Sequence, residues 1–174
     1  MQFNDIPRFT KVPNYRTTTD WAYLEGTLER WIGERGKDIA KLDLNPDFQR
    51  AHVWTEAQQI AYVEYALRGG SSGREIYLNC AGWQNDWRGP FVLVDGKQRL
   101  EAVRKFMRDE LPIFGGHTFK QFEGRLPVST AFFYINVNDL PTRAEVLQWY
   151  LEMNTGGTPH TPEEIQKVRE LLSK

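Results

Sequence analysis

The stretch FVLVDGKQRL, residues 91–100, does most to limit how this chain can fold. An apolar run, Phe91-Val92-Leu93-Val94, passes through Asp95 and Gly96 straight into a helical pattern, with Leu100, Val103 and Met107 at i, i+3 and i+7. A strand that turns at once into a helix points to a domain in which strands and helices interleave.

The rest of the chain agrees. Residues 1–19 are polar and proline-punctuated and read as an arm. Asp20 is placed to cap a helix whose apolar face is Trp21, Leu24, Leu28 and Trp31, with Gly33 and Gly36 at its end. Residues 39–44 alternate like a strand, Leu42 and Leu44 on one face and Lys41 and Asp43 on the other. Thr55-x-x-Gln58 predicts a capping box and a helix carrying Ile60, Val63 and Leu67. Residues 76–80 read as a strand, 111–114 and 118–122 as short strands, and 131–137 as a buried strand rich in β-branched and aromatic residues. Thr142-x-x-Glu145 starts another helix, and Thr161-Pro162-Glu163-Glu164 a last one. No repeat or long linker divides the chain. The expectation is one compact α/β (α+β) domain with a small mixed sheet flanked by helices: an arm and helix over residues 1–37, and the main body over 38–174.

Composition sets limits on function. The formal net charge is −1, so any affinity for nucleic acid must come from a local patch. The single cysteine, Cys80, excludes an intrachain disulfide and fits a reducing compartment. No window approaches 18 apolar residues, and the first sixteen residues lack a signal-peptide core, which predicts a cytoplasmic protein without membrane contact.

At VDGKQRL, a plain helix start accounts for three residues: Asp95 as N-cap, Gly96 as turn, and Gln98 as the N3 partner of a capping box. It does not account for Lys97 and Arg99. A cation in the first turn costs a few tenths to about 1 kcal/mol unless an anion offsets it. A strand–Gly–helix junction offers free N–H groups, and Gly96 permits close approach, so Lys97 and Arg99 would complete a phosphate cradle. A second polar-aromatic cluster, NPDFQRAHVW at residues 45–54, supplies Gln49 and Arg50; the Arg50 guanidinium suits bidentate contact with phosphate. Asp47 together with Asp95-Gly96-Lys97 superficially matches a nuclease pattern in which two carboxylates hold Mg²⁺. His52 is a candidate general base, and His52, His117 and His160 are too scattered for a zinc site. In MNTGGTPH the glycines read as a helix C-cap, while Asn154 and Thr158 are placed to hydrogen-bond a ligand from across a cleft.

Three stretches in this order, PDFQR before a Trp and a helix, VDGKQRL, and MNTGGTPHTPEE, resemble signatures of the family named after the GmrSD type IV restriction enzymes, over roughly residues 38–170. Lys97 stands where that family usually has Gln. The resemblance implies a ParB/sulfiredoxin-like α/β fold, with a nucleotide or nucleic-acid phosphate bound near the Asp-Gly-x-Gln-Arg turn. It further implies nucleotide hydrolysis or DNA cleavage in prokaryotic and phage defence; the reading taken from it is a nucleoside triphosphate, with Mg²⁺, bound and hydrolysed in a DNA-directed process. Under that reading Gln49, Arg50, Gly96, Lys97 and Asn154 bind nucleotide. Asp95, Gln98 and Arg99 are catalytic, and Asp95 and Asp47 are the metal candidates. Two alternatives use the same residues: a metal-dependent DNA endonuclease, and a non-catalytic decoy or regulator that binds a restriction complex or DNA.

Overall fold

The computed structural model describes residues 2–6, 15–33, 40–51, 53–155 and 162–172. Its centre is a four-stranded sheet in the order β1-β4-β2-β3, formed by β1 (Tyr15–Asp20), β2 (Glu75–Cys80), β3 (Phe91–Asp95) and β4 (Phe132–Asn138). β4 runs antiparallel to β1 and parallel to β2, and β2 runs antiparallel to β3, so the sheet is mixed. Around it lie α1 (Trp21–Ile32), α2 (Glu56–Leu67), α3 (Lys97–Met107), α4 (Arg143–Thr155) and α5 (Pro162–Leu172). This is a mixed α/β fold with a small mixed sheet flanked by helices. Among the described residues, no helix is long and apolar enough to cross a membrane.

The alternation along the strands decides which helix covers which face. Ile76, Leu78 and Cys80 of β2 and Phe133, Ile135 and Val137 of β4 point to one side, where Trp21, Leu24 and Leu28 of α1, Val63 of α2 and Val103 and Phe106 of α3 complete the larger core. Val92 and Val94 of β3, with Tyr77, pack against Val146, Leu147, Trp149 and Tyr150 of α4 and Val168 of α5 in a second cluster. Burial pushes the Cys80 thiol up to about 12, so it stays protonated and inert.

Polar residues tie the helices down. The Thr55–Gln58 capping box forms as expected, and Thr142 and Glu145 exchange the equivalent bonds ahead of α4. The buried Arg74 donates through Nε to Gly70 O at 2.8 Å, just past the C-terminal end of α2, and lies 4.5 Å over the Phe132 ring. Glu25 of α1 accepts from Arg104 at 2.6 Å and from Arg108 at 2.9 Å, so the cations on that face of α3 belong to a clasp between helices. Burial alone would raise the Glu25 pKa, but the bonds from Arg104 and Arg108 outweigh it and hold the carboxyl below its ordinary value of 4.5. A depressed carboxylate adds stability above its unfolded pKa and loses it as pH falls through the folded one. The clasp is therefore expected to hold at neutral pH and to release below about pH 4.5. Acid titration of the melting temperature checks this: Glu25→Gln should flatten that step, and an unchanged step would reject the assignment.

Three sequence expectations need correction. Residues 15–19, expected in an arm, form with Asp20 the edge strand β1 and build the N-terminal segment into the same sheet. Residues 39–44 were expected as a strand; within the described part the pairing is one isolated parallel bridge, Asp43 with Val92, because the segment meets the sheet only at the outer edge of β3. Leu42 is nevertheless buried and Lys41 and Asp43 exposed, as the alternation requires. The two short strands at 111–114 and 118–122 reduce to a bridge between Ile113 and His117 and a 3-10 turn over Phe119–Gln121.

Candidate functional site: a cationic cleft at the turn into α3

Gly96 makes the turn between β3 and α3. Its φ of 102° lies in the left-handed region, and a Cβ there would come 2.5 Å from Ile76 Cδ1 and 3.3 Å from Glu75 O. Gly96, not Asp95, is the N-cap of α3, and no side chain caps that helix. The capping box expected from Asp95 and Gln98 is thus corrected. Once glycine takes the cap position, Asp95 is left as the last strand residue. Its Oδ2 accepts from Arg99 Nη2 at 2.7 Å, one helical turn on.

Gln98 turns the other way. Its Oε1 accepts from Val53 N at 3.0 Å and Trp54 N at 3.1 Å, and its Nε2 donates to Ala51 O at 3.3 Å. Gln49 Nε2 donates to Leu93 O at 2.6 Å. The two glutamines staple the 45–54 loop over the start of α3, and Phe48, buried against Tyr150, plugs it into the second core. The loop then holds Arg50 and Trp54 above the turn. Truncating Gln98 to Ala leaves the Val53 and Trp54 amides without their acceptor, and is expected to cost about 1–3 kcal/mol. Gln98→Glu keeps the acceptor and should recover part of it. Equal urea midpoints for Gln98→Ala and wild type would remove the staple.

Between these parts lies a cleft of about 90 Å³, lined by Gln49, Arg50, Trp54, Val94, Asp95, Gly96, Lys97, Gln98 and Arg99, with Tyr150 and Asn154 of α4 on the far wall. Of the described site residues expected from the sequence, all but one line this cleft. Asp47 is the exception: its carboxylate accepts from Arg143 at 2.7 Å outside the cleft, and that bond holds its pKa below the ordinary carboxylate value. His52, Gly156, Gly157 and Thr158 lie outside the described residues. Asn154 donates through Nδ2 to Tyr150 O at 2.7 Å within α4 and lines the cleft.

The lining carries three cations, Arg50, Lys97 and Arg99, against one carboxylate, Asp95, a local charge of +2 (3 − 1) in a chain of net charge −1. Lys97 Nζ reaches only a backbone oxygen, Arg50 O, at 3.3 Å, and among the described residues no acid pairs with Arg50. Arg99 Nη2 also donates to Glu75 O at 3.0 Å, while Arg99 Nε is buried with no hydrogen-bond partner. A buried unpaired donor costs about 1–3 kcal/mol, more when charged, until an acceptor arrives. The uncapped helix start adds its own free N–H groups and positive dipole end. The arrangement suits an anion with several oxygens.

Two aromatic residues that the sequence does not mark as site residues, Trp54 and Tyr150, also line the cleft. Trp54 reaches the cleft from the loop before α2 and Tyr150 from α4, a juxtaposition that appears only once the loop is folded over α3. No protein-family model, curated protein or solved structure matches this chain.

Proposed function

We propose that the cleft binds the phosphates of a nucleoside triphosphate. On this reading the chain is a ParB/sulfiredoxin-like domain of the GmrSD type that hydrolyses nucleotide in a DNA-directed defence process. One observation carries the phosphate reading: a cleft of local charge +2, lined by Arg50, Lys97 and Arg99, at an uncapped helix start. The volume, about 90 Å³, falls short of the roughly 300–1,000 Å³ that encloses a whole small molecule. The cleft would therefore take phosphates and leave the base outside, beside Trp54. Arg50 and Lys97, being free of acids, are the residues that move onto the ligand.

The described residues do not fit a magnesium site of the protein's own. The cleft supplies one carboxylate, Arg99 already engages it, and no group of three or more His, Cys, Asp or Glu is placed to hold a metal among the described residues. Mg²⁺ would enter as the counter-ion of the phosphates. The endonuclease reading has less support for the same reason, since its second carboxylate, Asp47, is bound to Arg143.

Calorimetric titration of ATP, GTP and CTP, each with and without Mg²⁺, tests the proposal. Saturable binding of at least one is expected, weakening with salt. Asp95→Asn removes the only carboxylate of the cleft, raises its charge from +2 to +3 and frees Arg99, so it should bind nucleotide more tightly. If Asp95 also orients the attacking water, the same variant loses turnover. Full turnover in Asp95→Asn would leave Asp95 as a partner of Arg99 alone. A wild type that binds none of the three nucleotides but captures a restriction complex would replace this reading with the regulator.

A further inference from the structure

A second cavity, of about 420 Å³, lies at the opposite end of α3 from the cleft, between Leu67 at the end of α2, Phe106, and the segment from Phe114 to Pro127. We propose that it binds a small planar apolar molecule carrying one negative charge. This does not rest on the nucleotide reading.

The walls are aromatic. Phe106 is 1% exposed and meets Phe119 and Phe122 edge-on, at centroid distances of 5.5 and 6.0 Å. Phe122 in turn meets Phe114 at 6.4 Å. Phe114 and Phe122 keep 39% and 41% of their surface in water, side by side on the wall of the cavity. Phe114 also has φ 46°, a left-handed conformation that costs a bulky side chain about 1–3 kcal/mol. Its amide donates to Glu64 Oε1 of α2 at 2.6 Å, which holds the strained residue in place. The backbone thus keeps an aromatic ring at the mouth against both its local preference and the pull to bury it.

Size and charge define the ligand. A dry cavity of roughly 150 Å³ accommodates a benzene. The 420 Å³ here has room for about two or three fused or linked rings, and lies inside the usual range for small-molecule pockets. Flat molecules gain most from ring walls. Of the charged residues on the lining, Lys120 is taken by Asp109 at 3.0 Å. Arg125 is exposed and pairs with no acid among the described residues, so it can meet an anionic head. Glu123 stands on the same lining, and a preference for uncharged or cationic rings is the outcome the test must exclude.

Two fluorescent probes with the same rings decide it: 1-anilinonaphthalene-8-sulfonate, an anion, and N-phenyl-1-naphthylamine, which lacks the sulfonate. The folded chain is expected to bind one sulfonate probe at saturation, several-fold more tightly than the neutral one. Phe122→Ala should weaken both about tenfold, as loss of one aromatic wall of the cavity implies. Arg125→Gln should weaken only the anion and abolish the difference between the probes. Phe114→Asn tolerates φ > 0, so it should melt no lower than wild type while weakening both probes; it serves if Phe122→Ala unfolds. Saturating nucleotide should leave probe binding unchanged, because the two cavities lie at opposite ends of α3. Absence of one-to-one binding, or wild-type affinity in both phenylalanine variants, overturns the site. Equal affinity for the two probes, or Arg125→Gln indistinguishable from wild type, overturns the assigned charge.

Discussion

Gly96→Ala is expected to lower stability by about 2–4 kcal/mol. Two costs add. A residue with a Cβ pays roughly 1–2 kcal/mol in the left-handed region. The new methyl also meets Ile76 Cδ1 at 2.5 Å and the Ile76 and Glu75 backbone at 3.3 Å, and overpacking of this kind costs about 1–3 kcal/mol. The Ile76 methyl can swing aside, but the β2 backbone cannot, which keeps the sum from collapsing to the first cost alone. Against a typical total of about 5–15 kcal/mol this is a large fraction, and at about 2–4 °C per kcal/mol the melting temperature should fall by about 5–15 °C. Thermal unfolding monitored by circular dichroism measures it. A melting temperature within 2 °C of wild type would mean that the turn relaxes and that its geometry is not what places Lys97 and Arg99.

Arg99→Ala is expected to leave the fold largely intact and to weaken nucleotide binding by about 1.5–3 kcal/mol, roughly 10- to 150-fold, the range for a hydrogen bond to a charged group. Removing Arg99 also frees Asp95, which then repels the ligand, so the upper half of that range is the better expectation. Lys97→Gln should keep most of the affinity while reducing its salt dependence. Lys97 is held by one long bond to a backbone oxygen and acts as a mobile charge, not as a fixed donor. Titrations of both variants at low and high salt separate the two roles. Unchanged affinity in folded Arg99→Ala would contradict the phosphate cleft.

The junction of β3 and α3 could be read from the sequence because an apolar run, a glycine and a 3.6-residue period sit side by side, and each signal is local. The Thr55 and Thr142 boxes were readable for the same reason. Asp95 was misread because Asp-x-x-Gln fits a capping box as well as it fits what the chain does. Only the tertiary position of Val53 and Trp54, 45 and 44 residues from Gln98, reveals where that amide is spent. β1 leaves no strand signal in the sequence because Arg16-Thr17-Thr18-Thr19 lies at a sheet edge, with both faces partly in water and no apolar alternation to mark it. Asp47 could not be separated from Asp95 as a candidate ligand, since its partner Arg143 lies 96 residues away.

Among the described residues, no backbone-to-backbone bond joins positions 47–54 to the sheet. That stretch is fastened by the Gln49 and Gln98 side chains, the Asp47–Arg143 pair and the Phe48 plug. In amide hydrogen exchange, the Val53 and Trp54 protons should then report a local opening of this flap, with a smaller protection free energy than the amides of β2 or β4, whose release requires global unfolding. The same two protons become an indicator of occupancy. Anything bound between the flap and α3 must slow their exchange while leaving the sheet amides at their original rates, so a ligand can be recognised by mass spectrometry before its chemistry is known.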